Sequence, residues 1–442
     1  MSTARGCLPG TRSPCVWSRT GEKCCRDARS VAGNEPEEAV TRLDSADVQD
    51  IKRAVREHIT GIAPVLVETS REIHAHPELN FEERFACDLL VRTSARLGLE
   101  VEPGAHESVT GFAGDAGSGP TVCVMSEYDA LPGIGHGCGH NVIAAAGLGA
   151  AVALAAVADA CGGRVRYLGT PAEEGGGGKI VMARNGALEG VDVAMMVHSA
   201  DADLTTIDAI ALQQLEVRYH GRESHAAAAP HMGRNALDAA VLGYMGVAAL
   251  RQHIRPTERV HGIFTAAGEK PNIVPRESAM EWYVRSDDVT SLAELKDRVL
   301  AALGAGAHAC GCTMDHAWVG PMYADMVTNS HLSAAYAANA ASAGRLVLDP
   351  RTSGRRVVGS TDMGNISHLV PSIHPMIACA PPGTAIHTSE FTRHAASAAA
   401  DAAVVDGALA MALTAVDFWL SEDLREDVRR EFESARPDTD VL

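Results

Sequence analysis

The chain has 442 residues, 46% of them apolar and 4% aromatic, and carries a formal net charge of −18. That length suffices for two or three domains around a sizeable core. The acidic balance argues against nucleic acid or an anionic membrane surface as a partner.

Residues 1–45 are polar, rich in Arg, Ser, Gly and Pro, and aperiodic, which predicts a disordered extension. Helical spacing of apolar residues begins with Ile51, Val55 and Ile59 and predicts helices over 47–73 and 80–97. Strands and helices then alternate: strand 121–125, helix 141–158, strand 165–168, helix 179–188 and strand 191–197, which ends at His198. Strands separated by helices imply a mainly parallel sheet with functional residues at strand carboxyl ends. Over 211–303 the order becomes strand, helix, strand, strand, helix, the pattern of a small α+β unit inserted into the larger one. A helix over 330–343, a strand over 376–379 and a helix over 392–420 return to the first unit, and 421–442 reads as a charged tail. The expected organisation is an extension (1–45), a catalytic domain in two parts (46–208 and 321–442) and an inserted lid and dimerisation domain (209–320).

No run of 18 or more residues reads as apolar enough to span a bilayer; the longest candidate, 142–157, is short and alanine-rich. The eleven cysteines lack a secretory leader and zinc-type pairing, so they are expected to be free thiols in a cytoplasmic protein.

The chemistry concentrates in four separated segments. GIGHGCGHN holds Cys138 and His140, with His136 close by; GTPAEEGGGGK holds Glu173 and Glu174; MMVHSA holds His198; GTAIHTSEF holds His387. Thiolate, imidazole and carboxylate together suit zinc, manganese, cobalt or nickel rather than calcium or magnesium. Five ligands are too many for one tetrahedral catalytic zinc and fit two divalent ions sharing a bridge. Adjacent glutamates in an extended segment point to opposite sides, so one of them can ligate while the other acts as general base.

Rival readings exist. EEGGGGK invites a phosphate loop with Lys179 on the phosphates, but Glu173 and Ile180 stand where such a loop needs Gly and Ser or Thr, and two carboxylates would lie beside the phosphate. Cys138 with His140 as its base would make a thiol hydrolase. A catalytically silent, metal-stabilised subunit is a third option.

EYDALPGIGHGCGHN, GTPAEEGGGGK, HSA, GRESHAAAAPHMGRNALDA, PNIVP and GTAIHTSEF occur here in the order seen in the amidohydrolase branch of the aminoacylase and glutamate-carboxypeptidase superfamily. The chain resembles that branch over roughly 48–420, most of all its p-aminobenzoyl-glutamate hydrolase and dipeptidase members. The resemblance implies a two-domain α/β fold and a metal-dependent amidohydrolase that cleaves a small N-acyl amino acid or dipeptide with a free carboxylate. It implies Cys138, His140, Glu174, His198 and His387 as ligands of two divalent ions, Glu173 as general base and Asp129 as the carboxylate that orients the site. It further implies that His225 reaches across a homodimer interface to the scissile carbonyl, that Asn272 and Arg285 hold the substrate carboxylate, and that the turn from Gly359 to Asp362 lines the same pocket.

Overall fold

A computed structural model describes residues 45–354, 358–435 and 440–442. Most of the expectation for residues 1–45 lies outside the described residues. The larger sheet has six strands in the order Glu102–Pro103, Phe112–Gly117, Arg164–Gly169, Thr121–Ser126, Val193–Met195 and Ser372–Ile373. The pairings from Arg164–Gly169 onward are parallel, and those on the Phe112–Gly117 side are antiparallel. Every residue of TVCVMS in Thr121–Ser126 is buried, because helices cover both faces of the sheet. Helix His140–Ala155 is buried throughout except at its last residue and packs between Ser45–Ala75 and Ala398–Leu420. Its alanines and glycines let the three backbones approach closely.

A second sheet is wholly antiparallel, in the order Thr313–Tyr323, Ala211–His220, Glu277–Ser286 and Arg259–Ala266. Helices Ala236–Leu250 and Val289–Ala309 cover one face and close a separate apolar core containing Leu215, Trp282, Leu292 and Val299. Side chains alternate across a strand. Met280, Trp282 and Val284 therefore enter that core, while Tyr283 and Arg285 stand on the other face.

Several expectations are corrected. Strand Phe112–Gly117 escapes the periodicity reading because FAGDAG has one large apolar residue, Phe112, which is buried. Strand Thr313–Tyr323 escapes it because this edge strand buries only Tyr323, so it needs no regular apolar face. The charged tail is helix Glu422–Ala435, which buries Val428 and packs on Ser330–Ala341. Helix Ala398–Leu420 does reach membrane length and hydropathy, but 78% of that window is buried as a core element. It starts afresh after Ser389–His394 because the Ser397 side chain caps it, accepting from Ala400 N. The seven cysteines among the described residues are free, Cys310 and Cys312 included.

Candidate active site

The larger sheet delivers its functional groups at the carboxyl ends of four neighbouring strands. Glu127 follows Thr121–Ser126, Glu173 and Glu174 follow Arg164–Gly169, His198 follows Val193–Met195, and His374 follows Ser372–Ile373. This is where an open parallel sheet presents ligands. Cys138 and His140 arrive from the loop that starts helix His140–Ala155. Gly139 separates them at φ +71°, and a Cβ there would lie 2.4 Å from Ser199 Oγ. The Ser199 hydroxyl donates to Cys138 O, and His387 N donates to Gly137 O at 2.9 Å, which fastens both remaining segments to the loop.

Cys138, His140 and His198 each offer one donor atom within 4.8 Å of the others, and Cys138, Glu174 and His387 do the same. Cys138 is common to both triads. His140 Nδ1 donates to Asp129 O at 2.9 Å and to Asp129 Oδ1 at 3.2 Å, while Asp129 Oδ2 accepts from Glu174 N at 3.0 Å. His198 Nδ1 donates to Ser199 O at 2.7 Å. Since carbonyls only accept, each ring carries a hydrogen on Nδ1 and turns Nε2 inward, the atom that would face a bound cation. His140 Nε2, Glu127 Oε1 and Glu174 Oε1 are buried without hydrogen-bond partners. Each unpaired buried atom costs about 1–3 kcal/mol. Orphaned lone pairs clustered around one point fit divalent cations, which would satisfy them together.

The electrostatics divide the two glutamates. Burial, with Glu127 and Glu174 close by, pushes the Glu173 carboxyl well above its ordinary range. Burial also opposes charge on Glu174, but the His387 ring, 3.4 Å from Oε1, and the field of His140 hold it down at about 2. Glu173 thus suits a proton carrier and Glu174 a permanent anion. Burial drives the Cys138 thiol well above its usual value even with His140 beside it. A thiolate there needs a cation as partner, which weighs against a free nucleophilic thiol.

A cavity of about 510 Å³ lies over these groups, lined by Cys138, Glu173, Glu174, His198, His374 and His387 on one side. Tyr283 and Arg285 of the second sheet line the other, and Gly359, Ser360 and Thr361 complete the wall. Arg285 Nε is buried and unpaired. His225 and Asn272 do not line the cavity. They sit together elsewhere on the surface, where His225 Nδ1 accepts from Ala227 N and Ala228 N and Asn272 O accepts from Ala226 N.

Sequence reasoning left three residues out of the site. His374 is buried, donates from Nδ1 to Met196 O at 2.9 Å and leaves Nε2 without a partner. Glu127 and Lys179 form a buried ion pair at 2.6 Å. Lys179 therefore lies beneath the site and not at a phosphate-binding mouth. The position of His374 just past a strand was the available signal; the ion pair joins residues too far apart in sequence to leave one. His136 is no ligand: its Nε2 donates to Ile73 O at 3.1 Å and ties the loop to the first helix.

Comparison with known proteins places these observations. The mouse Xaa-Arg dipeptidase (Mus musculus) is 37% identical over 420 residues, covering 90% of this chain and 96% of the relative. One subunit of the Escherichia coli p-aminobenzoyl-glutamate hydrolase is 33% identical over 282 residues, covering 59% of this chain and 58% of the relative. A dinuclear metal-binding peptidase from Bacillus subtilis has the same fold, with a TM-score of 0.62 at 18% identity, covering 79% of this chain and 98% of the other. Residues 123–412 match the profile of Peptidase family M20/M25/M40. The chain belongs to that family and is a metal-dependent hydrolase of amide or peptide bonds.

Proposed function

We propose that the enzyme cleaves the amide bond of a small N-acyl amino acid or dipeptide whose amine-side product carries a free carboxylate. The observation that carries this reading is the pair of donor triads sharing Cys138, set in a cavity whose opposite wall bears Arg285. Cys138, His140 and His198 would hold one divalent ion, and Cys138, Glu174 and His387 the other. Zinc, manganese, cobalt and nickel suit this donor set. Such ions, when bound, make a water acidic enough to attack at neutral pH and polarise the carbonyl.

The chain's own residues do the rest. Glu173 removes a proton from the attacking water and returns it to the leaving amine, a role its raised affinity for a proton favours. Asp129 fixes the His140 ring and the Glu174 backbone together. Arg285 offers its guanidinium to the substrate carboxylate. His225 and Asn272, outside the cavity in one protomer, belong to this chemistry through a homodimer in which the 209–320 unit closes over the site. The free thiols support a reducing, cytoplasmic setting.

Glu173→Gln tests the assignment. Metal content should match wild type while turnover falls by at least about a thousandfold, as expected when a general base and its field are lost together. Turnover equal to wild type on a panel including p-aminobenzoyl-glutamate, acetyl-amino acids and Xaa-Arg dipeptides would refute it.

A further inference from the structure

Glu127 and Lys179 have no part in the chemistry above, yet both are fully buried beside it. Lys179 closes the glycine run GGGGK, and its amine donates to Glu127 Oε2 at 2.6 Å and to Asp362 Oδ1 at 2.8 Å. Its backbone N–H donates to Asp362 Oδ2 at 2.9 Å. One side of the Glu127 carboxylate is thereby pinned to a cation. The other oxygen, Oε1, is buried and unpaired. It lies 3.3 Å from His140 Nε2 and 3.9 Å from His198 Nε2.

The state of the His140 ring gives that distance its meaning. A hydrogen on Nδ1 is fixed by the Asp129 carbonyl, so the ring turns its Nε2 towards an oxygen that offers only lone pairs. Two such atoms sealed from water require a cation between them. The spacing suits a metal ion: two donors ~2.0–2.1 Å from one ion, at a tetrahedral angle, stand about 3.4 Å apart. Lys179 also prevents a charge conflict, since Glu127, Glu173 and Asp362 each place an oxygen within 4.8 Å of the others. Without the lysine, three carboxylates would share one dry space.

We infer that Glu127 Oε1 is a further ligand of the ion held by His140 and His198, and that Lys179, backed by Asp362, is the positioning residue that presents it. This rests on the two-ion reading of the site. In physical terms, the segment that looks like a phosphate loop places a cation under the metal centre.

The test is zinc stoichiometry and affinity, measured by elemental analysis and chelator competition on wild type, Glu127→Gln and Lys179→Met, with circular dichroism to establish folding. Wild type should bind two ions. Glu127→Gln should keep one at wild-type affinity and bind the other at least about a hundredfold more weakly. Lys179→Met should weaken the same ion by about 10–100-fold, the usual effect of losing an outer partner. A merely structural role would lower the melting temperature without this selective loss. A folded Glu127→Gln protein with two ions at wild-type affinity overturns the inference and leaves the two-ion reading standing. Wild type that binds no zinc overturns both. Should the variants not fold, a zinc-loaded crystal structure of the unaltered chain decides. An ion ~2.2 Å from Glu127 Oε1 supports the inference. Separation of that oxygen from both ions by more than ~3 Å, beyond any zinc–oxygen bond, overturns it and leaves a proton as the cation at His140.

Discussion

Cys138 is a donor to both triads, so its loss should be felt at both positions. Serine keeps the shape but offers a neutral hydroxyl in place of a thiolate. Cys138→Ser is predicted to weaken metal retention by more than the ~10–100-fold that loss of an outer hydrogen-bond partner costs. Elemental analysis after gel filtration should find the wild-type content of two ions reduced towards zero. Retention of both ions would remove Cys138 as the bridge. Asp129→Asn probes the outer layer: an amide cannot accept with both ends, so either the Glu174 backbone loses its partner or the His140 ring keeps only the Asp129 carbonyl. Metal affinity should fall within the same ~10–100-fold range, and an unchanged affinity would show the ring is held by the Asp129 carbonyl alone. Among single residues, the sequence was informative wherever a candidate donor sits in a short motif, as Glu174, His198 and His387 do, and the fold brings these donors together around Cys138 and His140. It was silent on Lys179, whose partners Glu127 and Asp362 lie 52 and 183 positions away. No local pattern encodes such a pairing.

The element that aims Glu173 is a turn rather than a helix or strand. Ala172, just before it, has φ +57°, a left-handed conformation that costs a non-glycine residue roughly 1–2 kcal/mol. Glu83 holds that turn by accepting from Ala172 N at 2.8 Å, while its other oxygen accepts from the Thr110 hydroxyl at 2.8 Å. Burial pushes the Glu83 carboxyl up to about 7. A raised folded-state value means that the neutral form is preferred: the stability it contributes is complete below the unfolded value near 4.5 and is lost as pH rises through 7. Glu83→Gln keeps the neutral form at every pH. Its unfolding free energy relative to wild type should therefore rise by roughly 2–3 kcal/mol between pH 5 and pH 8. Urea denaturation at the two values measures this, and a pH-independent difference would count against the burial argument. Gly178→Ala should instead disrupt the turn at any pH, since its Cβ would lie 1.8 Å from Pro171 O. Elements with clear periodicity were legible in the sequence, including the strands Ala211–His220, Arg259–Ala266 and Glu277–Ser286 of the second sheet. Phe112–Gly117 was hidden by its small residues, and Glu422–Ala435 by charges that outnumber its single buried residue, Val428.

For the whole molecule, the second sheet ends in the strand Arg259–Ala266, which pairs on one side only. Ile263 and Phe264 on that strand are exposed, as are Val241, Leu242 and Met245 on the neighbouring helix. Apolar side chains flanking an open edge on both faces of the sheet support the proposed dimer. Ile263→Glu with Met245→Glu should halve the mass seen by light scattering and depress activity, because His225 would lose its partner. Complementation gives a sharper test. Mixed and exchanged His225→Ala and Glu173→Gln subunits, each inactive alone, should regain about a quarter of wild-type activity, since half the dimers then contain one intact site. No recovery after proven exchange would place His225 in the cavity of its own protomer. The sequence could not show which face of this unit meets a partner, because exposure depends on how the strands are ordered.

Metal-dependent hydrolysis at the Cys138 centre underlies all of these expectations. It is tested by the rate of free amine release by purified enzyme across the substrate panel, after chelator dialysis and again after adding zinc or manganese. The rate should fall to background on dialysis and return with either ion. A rate untouched by chelation and abolished by thiol alkylation would rule out metal catalysis and restore Cys138 as a nucleophile.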